Sequence, residues 1–509
     1  MLTLNQLKKG AILSYLSLFT SILVALLYTP IMIRLLGQSE YGLYAMIGSL
    51  IAYFSVLDLG LGNAIVRYTS RNRAVGDKQI EAKLNGMFLI LYLIIGILTI
   101  LIGAIIYFYI DDIFTNGLST SELRKAKIMV IIITINFAFS FPLAIFGSII
   151  QAYERFVIFK LVEIVRILAV PIITLPFLYL GFGSVAMVVI VSVVNIGSLL
   201  FNLYYCFKYI KIKFHFGKID LTLLKEILGY SFFVFLGVIV DQIYWNTDQF
   251  ILGALVGTVS VAIYAIAMQF INMYKRFSTS ISGLFLPRAS IMVARKSSNE
   301  EITNEMIKYG RIQYTIMAYI LTGFILFGRP FINFWAGTNY DTAYIITLII
   351  MIPLTIPLIQ NFGISILYAK NLQKFRSLVL ILISILNIII TIPLVQKYSG
   401  IGAAIGTAIS LTLGNTVIMN VYYHKRIGIN MIRFWKNILV MTIPVLVSLC
   451  LGIGMNYIID FNKFVLIPIG ILLYSLIYAL LMWYFALNNY EKQLFLSMVS
   501  RFKSIIVRQ

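Results

Sequence analysis

Of 509 residues, 61% are hydrophobic and 12% charged, and 40 Lys and Arg stand against 19 Asp and Glu for a net charge of +21. A chain this apolar lies outside the range of soluble domains, and its basic residues are scattered between apolar runs instead of gathered in one patch, which argues against nucleic acid as partner. Two cysteines give no disulfide framework, both histidines fall between apolar runs and leave none for a metal site or intramembrane proton relay, and no GxxxxGK[ST] motif is present to cradle a nucleotide.

Apolar runs long enough to cross about 30 Å of hydrocarbon as helices recur along the whole chain. Fourteen are expected, at 10–33, 41–66, 84–110, 127–150, 156–180, 184–207, 227–252, 258–287, 311–334, 343–369, 376–396, 401–423, 437–459 and 464–487. The first follows Lys8 and Lys9 without a small-residue cleavage site, and is kept as a span. Prolines interrupt many spans; Pro30 and the pair Pro353 and Pro357 are candidate hinges.

The chain also states itself twice. LLGQSEYGLYAMIGSLIAYF from Leu35 recurs as ILGALVGTVSVAIYAIAMQF from Ile251, QAYERF ending at Phe156 as AKNLQKF ending at Phe375, and LPFLYLGFG from Leu175 as IPLVQKYSG from Ile392, at offsets of 216, 219 and 217. Six spans per copy is an even number, so both copies enter from one side and are related by an axis along the membrane normal. The fold expected is an all-α integral membrane protein: a first lobe at 1–210, a basic, partly amphipathic connector at 211–226 along the inner leaflet, a second lobe at 227–427, two extra lipid-facing spans at 428–487 and a tail at 488–509. Thirty Lys and Arg fall on the side of the N-terminus, seven on the other and three within spans, which places both termini in the cytoplasm.

A charge at the bilayer centre costs from about 2.5 kcal/mol upward, so each one within a span needs a reason. Glu163 and Arg166 lie three apart on the fifth span, a spacing that allows them to pair or lets Glu163 hold Arg166 in a cavity. Asp241 and Asp248 share one stripe of the seventh span; Asp248 lies near the outer end, where water can reach it, whereas Asp241 is deeper, facing a cavity or pairing with Lys275 or Arg276. Lys275 and Arg276 on the eighth span point about 100° apart, and two cations at this depth suit a phosphate or diphosphate. Asp58 lies in FSVLDLGLGNAIVRY, where Gly60 and Gly62 allow close helix approach; a basic partner, a hydrogen bond and a coupling cation all remain open for it.

RLLGQSEYGLYAMIGSLIAYFSVLDLGLGNAIVRYTSR resembles the opening of bacterial polysaccharide flippases, the Wzx-type O-antigen and capsule transporters of the multidrug/oligosaccharidyl-lipid/polysaccharide exporter superfamily. WNTDQFILGALVGTVSVAIYAIA resembles the start of their second lobe, and the QAYERF and NLQKF segments their paired loops. The resemblance implies a protein of the bacterial inner membrane that is no enzyme. It would move undecaprenyl-diphosphate-linked oligosaccharide outward by rocking two lobes around a basic central cleft. Lys275, Arg276, Arg166 and Arg34 would hold the diphosphate and sugars, with the lipid tail along the last two spans. No cofactor is implied beyond H⁺ or Na⁺ coupling through Asp58, Asp241 or Asp248. The implied partners are the lipid-linked glycan, membrane lipids and the polysaccharide polymerase machinery. Rival readings are a peptidoglycan-precursor flippase and a multidrug or cation antiporter of the same superfamily. A membrane glycosyltransferase or polymerase needs a long outer loop; the longest here, IDDIFTNGLSTSELRKAK, is short, and its Asp111 and Asp112 read as a solvated turn.

Overall fold

The computed structural model describes residues 2–217, 221–283, 285–458 and 466–506. Its regular elements among the described residues are all helices, and it divides into two compact units, Met1–Ala265 with Val395–Gly400, and Ile266–Leu394 with Ile401–Gln509. The first unit holds α1 (Leu2–Leu36), α2 (Gln38–Ser55), α3 (Leu61–Val75), α4 (Lys78–Phe114), α5 (Thr120–Ala152), α6 (Phe156–Tyr179), α7 (Ser184–Tyr205), α8 (Leu221–Leu255) and the first turns of α9 (Thr258–Ser282). The second holds the rest of α9, α10 (Phe285–Ala294), α11 (Asn299–Trp335), α12 (Thr342–Ile359), α13 (Asn361–Ala369), most of α14 (Gln373–Leu411), α15 (Met419–Tyr422), α16 (Met431–Ile458), α17 (Leu466–Leu481) and α18 (Asn489–Ile506). These units divide at Ala265, not at the edge of the repeat.

Among the described residues ten helical stretches are long and apolar enough to cross a membrane, which makes this a multi-pass membrane protein. One of them, Gln373–Ile427, covers two expected spans and is kinked at Ser399 (φ 53°), so it turns where the sequence places the KYSG loop. The three expected spans outside these ten fall on α6, α8 and α9, the helices that carry Glu163 and Arg166, Asp241 and Asp248, and Lys275 and Arg276.

Lipid explains the pattern along α4. Leu84, Phe88, Tyr92 and Ile95 are buried in a core shared with Ile145 and Ile149 of α5, whereas Ile97, Leu101 and Phe108 are exposed at the protein surface. A helix apolar on both faces can leave one outward only where the solvent is hydrocarbon.

Three expected spans are broken. The span at 41–66 is α2 and α3, separated by a tight 3-10 turn at Val56–Asp58 and by left-handed backbone at Leu59 (φ 52°) and Gly60 (φ 74°). Gly60 thus serves the turn, not helix approach, because glycine takes this conformation without steric cost. The span at 258–287 is α9 and α10. The span at 343–369 breaks at Gln360, whose N–H reaches back only three residues to the Pro357 carbonyl at 3.2 Å. Pro30 and Pro353 stay within continuous helix.

Left-handed residues confirm the duplication and correct its register. Gly37 and Gly257 precede α2 and α9, and Gly76 and Lys296 follow α3 and α10; both pairs are 220 residues apart. Glu154 and Asn371, Gly181 and Ser399, and Lys211 and Gly428 follow at 217, 218 and 217. LLGQSEYGLYAMI therefore aligns with LVGTVSVAIYAIA from Leu255, four residues later than the apolar pattern suggests, matching Tyr44 with Tyr264. An apolar run repeats too uniformly to choose between registers one helical turn apart, whereas a left-handed turn occupies one position.

The connector turns left-handed at Lys211 and carries no helix from there to Gly217, and α8 begins at Leu221. Lys218 and Asp220 of the connector, and Asp460 and Lys463 between the last two spans, lie outside the described residues.

Candidate functional site

The charges on α6 separate into two groups. Glu163 accepts from Lys160 Nζ at 2.7 Å and from Ser17 Oγ of α1 at 3.0 Å. Lys160 is three residues before Glu163 as Arg166 is three after, so spacing alone leaves the choice open, and the expected Glu163–Arg166 pair gives way to Lys160 as the direct ion partner. Arg166 instead donates from Nη1 to Asn195 Oδ1 of α7 at 3.2 Å. Asn195 Nδ2 in turn donates to Asn136 Oδ1 and Ser140 Oγ of α5, at 3.1 and 2.8 Å. Three helices are thereby joined by a polar line in which every amide has a use, and among the described residues Arg166 forms no ion pair.

Asp58 takes the hydrogen-bond option. Its Oδ1 accepts from the buried Tyr92 hydroxyl at 2.7 Å and its Oδ2 from Gly62 N at 3.4 Å, so the carboxylate closes the break between α2 and α3. Of the aspartates of α8, Asp248 is buried at 3% exposure and accepts from Tyr264 OH at 2.5 Å, so the expected solvated position gives way to a covered one, whereas Asp241 is exposed. Beside Asp248, Thr247 meets Tyr53 OH of α2 at 2.5 Å. What covers each level of a helix is decided by its neighbours, not by depth along the chain.

On α9, Lys275 is half-buried and Arg276 exposed. They flank Tyr274, which is buried and meets Thr355 Oγ1 at 2.7 Å and the Met317 carbonyl at 3.2 Å. Arg34 is exposed in the last turn of α1. Arg34 and Arg166 thus belong to one compact unit and Lys275 and Arg276 to the other.

A polar cluster that the sequence reading missed joins the ends of α2, α5, α7 and α9 in the first unit. Glu40 accepts from Lys125 Nζ and from Ser184 N at 3.1 Å. Glu122 caps its own helix at Ser119 N (2.9 Å) and accepts from Ser39 Oγ at 2.5 Å and Thr258 Oγ1 at 2.7 Å. A Cβ on Gly42 would collide with the Thr258 carbonyl, so glycine there lets the start of α9 lie directly on α2. The SxxE capping box at 119–122 was the legible part of this signal.

Residues 7–293 match the family model described as polysaccharide biosynthesis protein. An uncharacterized membrane protein, EpsK of Bacillus subtilis, is 22% identical over 446 residues, covering 82% of this chain and 83% of that one. A putative O-antigen transporter of Shigella flexneri is 21% identical over 411 residues, covering 79% and 94%. The fold is similar to that of the lipid II flippase MurJ in its inward closed conformation, with a TM-score of 0.72, 18% identity and coverage of 93% of this chain and 97% of that one. The matched segment exceeds half of the chain, and the chain belongs to the polysaccharide biosynthesis protein family.

Proposed function

We propose that the protein is a flippase for undecaprenyl-diphosphate-linked oligosaccharide units. It would take them from the cytoplasmic to the outer face of the bacterial inner membrane during O-antigen, capsule or exopolysaccharide assembly. Arg166 is the observation that carries this reading: an exposed guanidinium on an apolar helix, held by Asn195 and forming no direct ion pair among the described residues because Glu163 is taken by Lys160, can receive an anion. Lys275, Arg276 and Arg34 are the further cations proposed for the diphosphate and sugars, exposed to one face and then the other as the protein alternates. Outward movement of negative charge is favoured by about 2.3 kcal/mol per charge per 100 mV, so the voltage alone supplies a driving force; H⁺ or Na⁺ coupling through Asp241 or Asp248 is a further option.

Deleting the gene and measuring undecaprenyl-diphosphate-linked sugars by mass spectrometry, alongside surface glycan by immunoblot, tests the reading. The expected result is accumulated lipid-linked units with lost surface glycan, restored by the wild-type gene but not by R166A. Normal surface glycan in the deletion would refute it. The fold shared with the lipid II flippase supports a second reading, a peptidoglycan precursor as cargo; rescue of a strain depleted of that flippase would favour it.

A further inference from the structure

The chain leaving α7 ends its last turn at Ile210, turns left-handed at Lys211 (φ 58°) and carries no helix from there to Gly217. Burial alternates from Lys211 to His215, as in an extended segment, where alternate side chains point to opposite sides. Ile212 is buried and Phe214 half-buried against the core that contains Cys206 and Ile227, so Lys211, Lys213 and His215 face outward together. Three contacts hold the segment on α4. His215 N donates to the Ala82 carbonyl at 2.9 Å, Asn85 Nδ2 donates to the Lys213 carbonyl at 3.2 Å, and Gly86 lacks the Cβ that would collide with the His215 carbonyl.

Between this segment and the first turns of α4 lies a groove of about 850 Å³, onto which Lys78, Lys83, Lys211, Lys213 and His215 converge. Its one carboxylate, Glu81, is buried and accepts from Tyr153 OH at 2.5 Å. Neighbouring Asp77 is turned to the α4 N-terminus, where it accepts from Gln79 N and Ile80 N. Among the described residues none of the four lysines has an ion-pair partner.

The positive-inside rule accounts for basic residues on this side of the membrane, but not for four on one groove. The second repeat separates the two causes. The counterparts of Lys78 and Lys83, 220 residues on, are Ser298 and Thr303; those of Lys211 and Lys213, 217 residues on, are Gly428 and Asn430. The chain also passes the start of α11 there, with Asn430 N donating to Thr303 Oγ1 at 3.0 Å, before α16 begins at Met431. The left-handed exit and the first residues of the crossing are thus built twice, once with lysine at these four positions and once without, so the crossing itself does not require them.

We infer that the groove of the first repeat binds the phosphate or diphosphate headgroup of a lipid, held by Lys78, Lys83, Lys211 and Lys213. Ammonium groups serve phosphate as compact point charges. Phe207, Tyr209 and Phe216, exposed by 49%, 61% and 62%, flank the segment and set it at the level where aromatic residues meet headgroups. This rests on the protein spanning a membrane, not on what it transports.

The test is native mass spectrometry of the full-length protein in detergent, titrated with phosphatidylglycerol, phosphatidylcholine and undecaprenyl diphosphate. Wild type is expected to retain a phosphate-charged lipid over phosphatidylcholine. K83A/K213A, which removes two exposed side chains, should weaken binding by about 25-fold, about fivefold per lysine. K425A/K436A, which removes two lysines that share a surface beside Trp435 in the second unit, should leave it unchanged, and the single variant K83A should show the fivefold step if the double variant is poorly folded. Equal retention of phosphatidylcholine, equal weakening by both double variants, or undiminished binding in a folded K83A/K213A would overturn the inference. Displacement of phosphatidylglycerol by equimolar undecaprenyl diphosphate identifies a carrier-lipid diphosphate as the occupant, and failure to displace it identifies a resident phospholipid; both support a lipid-phosphate site.

Discussion

Ser39 and Thr258 face each other hydroxyl to hydroxyl at 3.1 Å, and both donate to the same Glu122 oxygen. The first turn after the α8–α9 loop is thereby fastened to the first turn of α2. If transport requires this end to open, a covalent link there stops it. In a background with the exposed Cys450 replaced, S39C/T258C should form a disulfide under mild oxidation and lose flipping activity, regained on reduction. A cross-linked protein that still flips would separate this contact from the transport cycle.

Arg311 and Glu491 meet through two parallel hydrogen bonds, Nε to Oε1 at 2.7 Å and Nη2 to Oε2 at 2.8 Å, with the carboxylate side chain 1% exposed. The pair fastens the start of α18 to α11. Removing one partner strands the other charge, at a cost of about 3–5 kcal/mol. E491A should therefore lower the unfolding temperature in detergent and open the tail to protease well below it. An unchanged tail cleavage rate would show that α18 docks by its apolar face alone.

Asp58 separates by isostere. In D58A the fully buried Tyr92 hydroxyl loses its acceptor, at about 1–3 kcal/mol, whereas D58N keeps an acceptor in place. Thermal unfolding should rank wild type and D58N close together and D58A clearly below. If D58N instead matches D58A in stability, the negative charge itself matters at this break.

Gly86 is the point at which the connector lies on α4. G86L forces the His215 carbonyl away and strains its N–H bond to Ala82, at about 1–3 kcal/mol. The expected readout is new protease cleavage between residues 211 and 217. Protection equal to wild type would mean that the segment is held elsewhere.

The membrane class, the approximate spans and the duplication were all legible in the chain, because each depends on local properties: a run of apolar residues is a span wherever it packs, and a repeat is a repeat in any fold. The breaks at Gly60 and Gln360 were hidden inside apolar runs, where continuous hydropathy conceals a change of backbone. Which of two residues at equal spacing pairs with Glu163, and which of two aspartates on one stripe is buried, depend on what neighbouring helices present: Asn195 of α7 holding Arg166 in the one case, Tyr264 over Asp248 in the other. The four lysines of the groove read along the chain as positive-inside residues in separate segments. Only folding brings the segment after α7 across the start of α4, because long-range backbone bonds such as His215 to Ala82 decide which distant charges share a surface.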